Sequence, residues 1–158
     1  MTIEELLHKA DTVIAEELRT ELRRQGHYNT GKLDQSIEGK VTNGNHLEGF
    51  ASYYAAILQT GYGRERASMR QFPFVKNYFL SKGYDDATAS RIAAMTINAW
   101  RRDGVPTNVS AVYSETGTRT LFVTIVRRAI SGKLNALVTN GVDKIVNQKF
   151  HETKSETI

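Results

Sequence analysis

The chain has 158 residues, 40% hydrophobic and 24% charged, a composition expected of one globular domain that buries about 70% of its unfolded surface. No run approaches the ~20 apolar residues that span a bilayer. Cysteine is absent, which excludes disulfides, a thiol nucleophile and thiolate metal sites, and the formal charge is only +4. The acidic start Met1-Thr2-Ile3-Glu4-Glu5 lacks the basic and apolar regions of a signal peptide, so synthesis in the cytoplasm is expected.

Ile3, Leu6, Leu7, Ala10, Val13, Ile14, Leu18 and Leu22 recur at three- and four-residue steps, which predicts an amphipathic helix packed on a sheet. Thr2 and Glu5 fit a capping box, and Gly26 is placed to end the helix after Arg23 and Arg24. Thr30 to Ile37 reads as a glycine turn at Gly31 feeding a short strand anchored by Leu33 and Ile37. Ile37, Gly39 and Val41, then Leu47, Gly49, Ala51 and Tyr53, alternate as half-buried strands do, with Asn43-Gly44-Asn45 as the hairpin turn. Ala55 to Gln59 reads as a helical turn broken at Gly61 and Gly63, followed by an exposed, arginine-bearing loop to Gln71.

Pro73 suits the first turn of a short helix that Val75, Tyr78 and Phe79 face and Gly83 ends. A second helix is predicted over 85–102, capped by Asp85 or Asp86, with Ala89, Ile92, Ala93, Thr96, Ile97 and Trp100 as its stripe. Residues 109–126 are ambiguous. Val112-Tyr113 and Thr120 to Val126 favour strand by propensity, whereas Leu121, Phe122, Ile125, Ala129, Ile130, Leu134 and Leu137 keep helical spacing. The helical reading is preferred, from between Thr118 and Leu121 to about Val138 with a bend at Gly132, then a further turn from Val142 to Phe150. The expected whole is an α+β fold: a small antiparallel sheet packed against a long N-terminal helix and C-terminal helices. It forms a single domain over 1–150, with a helical insertion over 75–118 and a polar tail over 151–158.

Candidate chemistry is sparse. His8, His27, His46 and His151 lie far apart without metal-ligand spacing, so no metal or cofactor is expected. Ser36 and Ser52 sit in no nucleophile elbow, Gly61-Tyr62-Gly63 lacks a dinucleotide fingerprint, and Asp85-Asp86 reads as a helix cap. No enzyme activity is therefore expected. Positive charge gathers in Arg64, Arg66, Arg70, Lys76 and Lys82 and again at Arg101-Arg102. A mobile basic loop at Arg64, Arg66 and Arg70 suits either DNA phosphates or an acidic neighbouring subunit, and Tyr62, Phe72 and Phe74 either stack on bases or fill the core.

Taken in order, these features resemble the tail-completion and neck (head–tail joining, minor capsid) proteins of tailed bacteriophages. The resemblance rests on T-G-x-L-x-x-S-I at Thr30, Gly31, Leu33, Ser36 and Ile37, on Tyr54, Ala55 and Gly61, and on Pro73-Phe74. It covers about the first half of the chain. Two departures stand out: Gln59 where the family usually carries an acid, and a long stretch over 75–118. Either Pro73-Phe74 leads toward the terminal helix or Leu121-Phe122 does and Phe72-Pro73-Phe74 belongs to the insertion. The resemblance implies a structural virion component made in the host cytoplasm and built into the head–tail junction. It implies a six- or twelve-fold ring around the DNA channel, touching portal or adaptor and tail proteins, with non-specific contact to channel DNA. The alternative is a basic nucleic-acid-binding module.

Overall fold

The computed structural model describes residues 1–27 and 30–156. The chain is mostly helical with one two-stranded antiparallel sheet, an α+β fold. Helix α1 runs Ile3–Arg24. Thr2 and Glu5 close the capping box at its start, each side chain bonded to the other's backbone N–H. Gln25 caps its end and Gly26 follows at φ 71°. A Cβ at Gly26 would overlap the carbonyl oxygen of Tyr113, so both the turn and a close chain crossing require glycine there.

The segment after the turn departs from the expected strand. Lys32–Gln35 is a short helical turn, α2, with Gly31 as its N-cap at φ 74°. Asp34 and Ile37 turn their carbonyls to Arg19 of α1, which binds them at 3.1 and 2.7 Å. Those bonds hold the chain against the helix before β1 begins at Glu38. Strands β1 (Glu38–Thr42) and β2 (His46–Phe50) pair from Glu38↔Phe50 to Thr42↔His46. Asn43 and Gly44, both at positive φ, make the turn. Gly39 faces α1 so closely that a Cβ there would overlap the Asp11 carboxylate. β2 stops at Phe50, short of the expected Tyr53, because Ser52 caps a helix: α3 is Tyr53–Thr60, ended by Gly61.

Helix α4 (Phe72–Ser81) carries Pro73 in its first turn, and α5 (Asp86–Asp103) is capped by Asp85, whose carboxylate accepts from Thr88 N–H. Asn108–Tyr113 is a 3₁₀ helix, not the strand its propensity allows. The last helix, α6, is one uninterrupted element, Phe122–Glu156, of 35 residues and about 52 Å. Neither a break at Gly132 nor a separate turn after Val142 occurs. The polar residues from His151 continue the helix to Glu156, and the rest of the expected tail, Thr157 and Ile158, lies outside the described residues.

α1 and α6 run antiparallel. The Met1 ammonium donates to Gln148 Oε1, Gly141 meets Leu6, Lys133 pairs with Glu17, and Gln25 Nε2 donates to the Thr120 carbonyl. α1 therefore packs against α6 as well as the hairpin. The main core joins Ala15, Leu22, Ile37, Ala55, Leu58 and Phe122, with Leu18 and Leu33 against it. A second cluster holds Val75, Ala93 and Ile97, flanked by Phe72, Phe79 and Trp100. The excursion that carries the second cluster leaves and re-enters through a two-way backbone bridge, Tyr62↔Val105, with N···O distances of 2.7 and 2.8 Å.

Candidate assembly surface and basic cleft

The residues of T-G-x-L-x-x-S-I and of Tyr54 to Gly61 come together in the main core. Ser36 joins them: its hydroxyl donates to the Leu33 carbonyl (2.8 Å) and accepts from Ser52 N–H (3.0 Å), just ahead of α3. Ile37, Ala55 and Leu58 are buried beside Phe122, and Leu33 packs on them. Thr30 accepts from Lys32 N–H at 3.5 Å, the outer limit of such a bond. Tyr54 lies on α3 and is half exposed, and Tyr53 beside it is 80% exposed. Gly61, at φ 78°, sits 2.9 Å (from a Cβ position) from the Val105 carbonyl oxygen. This set shapes and closes a core; it presents no reactive group.

Pro73 and Phe74 stand apart from that core. They open α4, next to the second cluster, and Phe74 is 76% exposed. Leu121-Phe122 instead leads into the terminal helix, with Phe122 buried in the main core.

Three residues outside the sequence reading's candidate set hold this arrangement. Gln59 caps α6: its Oε1 accepts from Val123 N–H at 2.9 Å and its Nε2 donates to Thr124 Oγ1 at 2.8 Å. An acid at this place would accept the first bond and could not donate the second. Arg119 donates to the Gln25 and Gly26 carbonyls at 3.1 and 3.2 Å, placing a cation at the C-terminal end of α1. His27 donates from Nε2 to the Arg119 carbonyl at 2.8 Å. Burial holds the His27 imidazole below its usual range; the bond to Arg119 opposes that and the Arg119 charge adds to it. None of the three follows a local pattern, because each partner lies more than sixty residues away in the chain.

The arginines lie on two short helical turns within the expected loop. Arg64–Arg66 and Met69–Gln71 are 3₁₀ turns with buried Ala67 between them. Tyr62 pins them: its hydroxyl donates to the Arg66 carbonyl (2.6 Å) and accepts from Gln71 Nε2 (2.8 Å). Tyr62 thus has a structural task, and Phe72 packs on the second cluster, leaving Phe74 as the exposed member of the three aromatics. Arg101 of α5 reaches the Ala67 carbonyl at 3.5 Å. An open cleft of about 570 Å³ lies at the bridge, lined by Gly61, Gly63, Arg64, Arg102, Asp103 and Gly104 among others. Arg102 binds Asp103 at 2.7 and 2.9 Å, which holds that carboxyl below the usual carboxylate range. Lys76 is taken up by Asp86 at 2.8 Å, and Lys82 lies over the Tyr78 ring.

Two exposed apolar surfaces remain. Val138, Val142, Val146 and Phe150 recur every four residues on α6 and are 42–67% exposed. Val109, Val112 and Tyr113 protrude from the 3₁₀ helix. Among the described residues, no three side chains of His, Asp or Glu converge as metal ligands, and no helix is long and apolar enough to cross a membrane. Compared with protein-family models, with curated protein sequences and with solved structures, the chain matches none.

Proposed function

We propose that the chain is a structural virion protein of a phage head–tail connector, neck or tail-completion complex, assembling as a homo-oligomeric ring around the DNA channel. The observation that carries the reading is the stripe Val138, Val142, Val146 and Phe150. An isolated globular chain gains nothing by repeating large apolar residues every helical turn along a solvent face, whereas a subunit interface buries them. A ring needs a heterologous contact, in which this face meets a different surface of the next copy. The protruding Val109, Val112 and Tyr113, or Tyr53 and Phe74, supply apolar surface elsewhere on the molecule. The packing of the T-G-x-L-x-x-S-I segment into a rigid core supports the same reading, since a ring component is defined by shape. In this reading the hairpin, the N-terminal helix and the C-terminal helices form one packing unit. The partners are further copies in six- or twelve-fold number, portal or adaptor and tail proteins, and, without sequence preference, channel DNA. The place is the virion head–tail junction, reached after synthesis in the host cytoplasm, and no catalysis is assigned.

Light scattering coupled to size exclusion, with negative-stain imaging, tests this. The wild-type chain is expected as closed rings. Val146→Glu with Phe150→Glu is expected to give a monomer with unchanged helicity and melting. A wild-type monomer at every attainable concentration, indifferent to those substitutions, would overturn the assembly reading. The alternative, a basic nucleic-acid-binding module, draws its support from the arginines around the cleft.

A further inference from the structure

Five arginines that the chain carries in two separate segments form one surface. Arg64, Arg66 and Arg70 come from the two 3₁₀ turns and Arg101 and Arg102 from the end of α5, and all five are exposed. The Arg101 guanidinium on the Ala67 carbonyl fixes α5 between the turns, and Arg64 and Arg102 line the same open cleft. Only two carboxylates sit among them, Glu65 and Asp103. Five cations against two anions leave +3 on this one face, most of the chain's formal +4. Of the two, Asp103 neutralises its neighbour Arg102. The Glu65 carboxylate folds back over Gly63, touching Arg66 only at 4.0 Å. Arg64 and Arg70 have no carboxylate partner among the described residues.

We infer that this face is a binding surface for the phosphate backbone of a nucleic-acid duplex, with Arg64 at the mouth of the cleft holding one phosphate and Arg66, Arg70 and Arg101 reaching its neighbours. Two features select phosphate over an acidic protein. Every cation in the cluster is a guanidinium, whose planar fork meets phosphate oxygens in pairs. The cluster stands on backbone pinned by Tyr62 and Arg101, so its spacing is set before binding. Contacts to phosphate carry no sequence information, so binding is expected without sequence preference. The surface deepens the neck reading by defining its contact with DNA, and rests on that reading only for the source of the duplex.

Fluorescence anisotropy with a labelled mixed-sequence DNA duplex tests it. Binding by the wild type is expected to weaken by about 10²-fold between roughly 50 and 200 mM salt, as about four phosphate contacts require. Arg64→Ser with Arg66→Ser should shallow the log–log salt slope by about 2. Arg70→Ser, whose side chain makes no hydrogen bond or ion pair among the described residues, should shallow it by about 1 and guards against a folding defect in the double variant. A wild type that fails to bind, or variants that keep its slope, would overturn the inference. So would a poly-glutamate peptide of matched charge that displaces the DNA equally well, which would assign the face to an acidic protein. Oligomeric state is read on the same samples. Rings that persist without DNA binding remove this inference alone, and DNA binding by a monomer removes the ring alone.

Discussion

At the scale of single residues, the side chains that matter most are those that satisfy distant backbone. His27 shows the consequence. Its imidazole is tied to the Arg119 carbonyl and held neutral by burial, with a pKa below its ordinary value. The unfolded chain takes up a proton near the usual histidine pKa of about 6.5, whereas the native chain resists it until the pH reaches the lowered value. Between those two points the unfolded state binds more protons, so stability falls as the pH falls and is unaffected above that window. The wild-type Tm is expected to drop between about pH 7 and pH 5, and His27→Gln to drop less over the same interval; parallel thermal melts would show it. Nothing in the sequence around His27 announced this role. A histidine three residues past a helix is ordinarily solvated, and only the return of Arg119 to the end of α1 closes over it.

At the scale of elements, the two glycines of α6 look alike in sequence and differ in space. Gly132 has open space where a Cβ would stand, while a Cβ at Gly141 would run into the Leu6 side chain, where α1 and α6 cross most closely. Gly132→Ala should therefore stabilise the protein by about 0.5–1 kcal/mol, the usual gain of alanine over glycine within a helix. Gly141→Leu should destabilise it by about 1–3 kcal/mol through overpacking. Denaturant titrations of the two variants are expected to move in opposite directions; equal shifts would mean that the α1–α6 seam is looser than drawn. Glycine weakens a helix locally, which predicts a bend at Gly132. The helix continues because Phe122, Val126 and Ile130 on one side and Gly141 on the other are all held against their neighbours, and packing outweighs propensity.

The same competition explains Lys32–Gln35. Its alternation suits a strand, yet Arg19 collects two of its carbonyls from α1 and Ser36 closes the turn. The hairpin, the Thr2 cap and the Asp85 cap were legible because each is a local pattern whose partners lie within three or four residues.

At the scale of the whole molecule, the excursion closed by Tyr62↔Val105 has its own apolar cluster. It begins at the bridge, takes in Phe72-Pro73-Phe74 and ends near Val105. Residues that exchange both backbone bonds in an antiparallel pair have Cα atoms about 5.5 Å apart, a gap that a two-residue turn spans. Replacing residues 63–104 with Asn-Gly should leave a chain that keeps its helical circular dichroism and melts cooperatively through the α1–α6 core. It should also lose all five arginines of the cleft, and DNA binding with them. A chain that instead becomes molten would show that the main core depends on the excursion.

The sequence by itself determined the helices α1, α4 and α5, the hairpin and most caps, because hydrophobic period and capping chemistry act over a few residues. It also determined that no cysteine chemistry is open to the chain. Only the tertiary structure decided that α6 is one long helix seamed antiparallel to α1, that Gln59 and Ser36 join segments far apart, and that arginines some forty residues distant share one face. Those outcomes depend on where the chain returns to itself, and a close approach between remote segments leaves no local pattern to read.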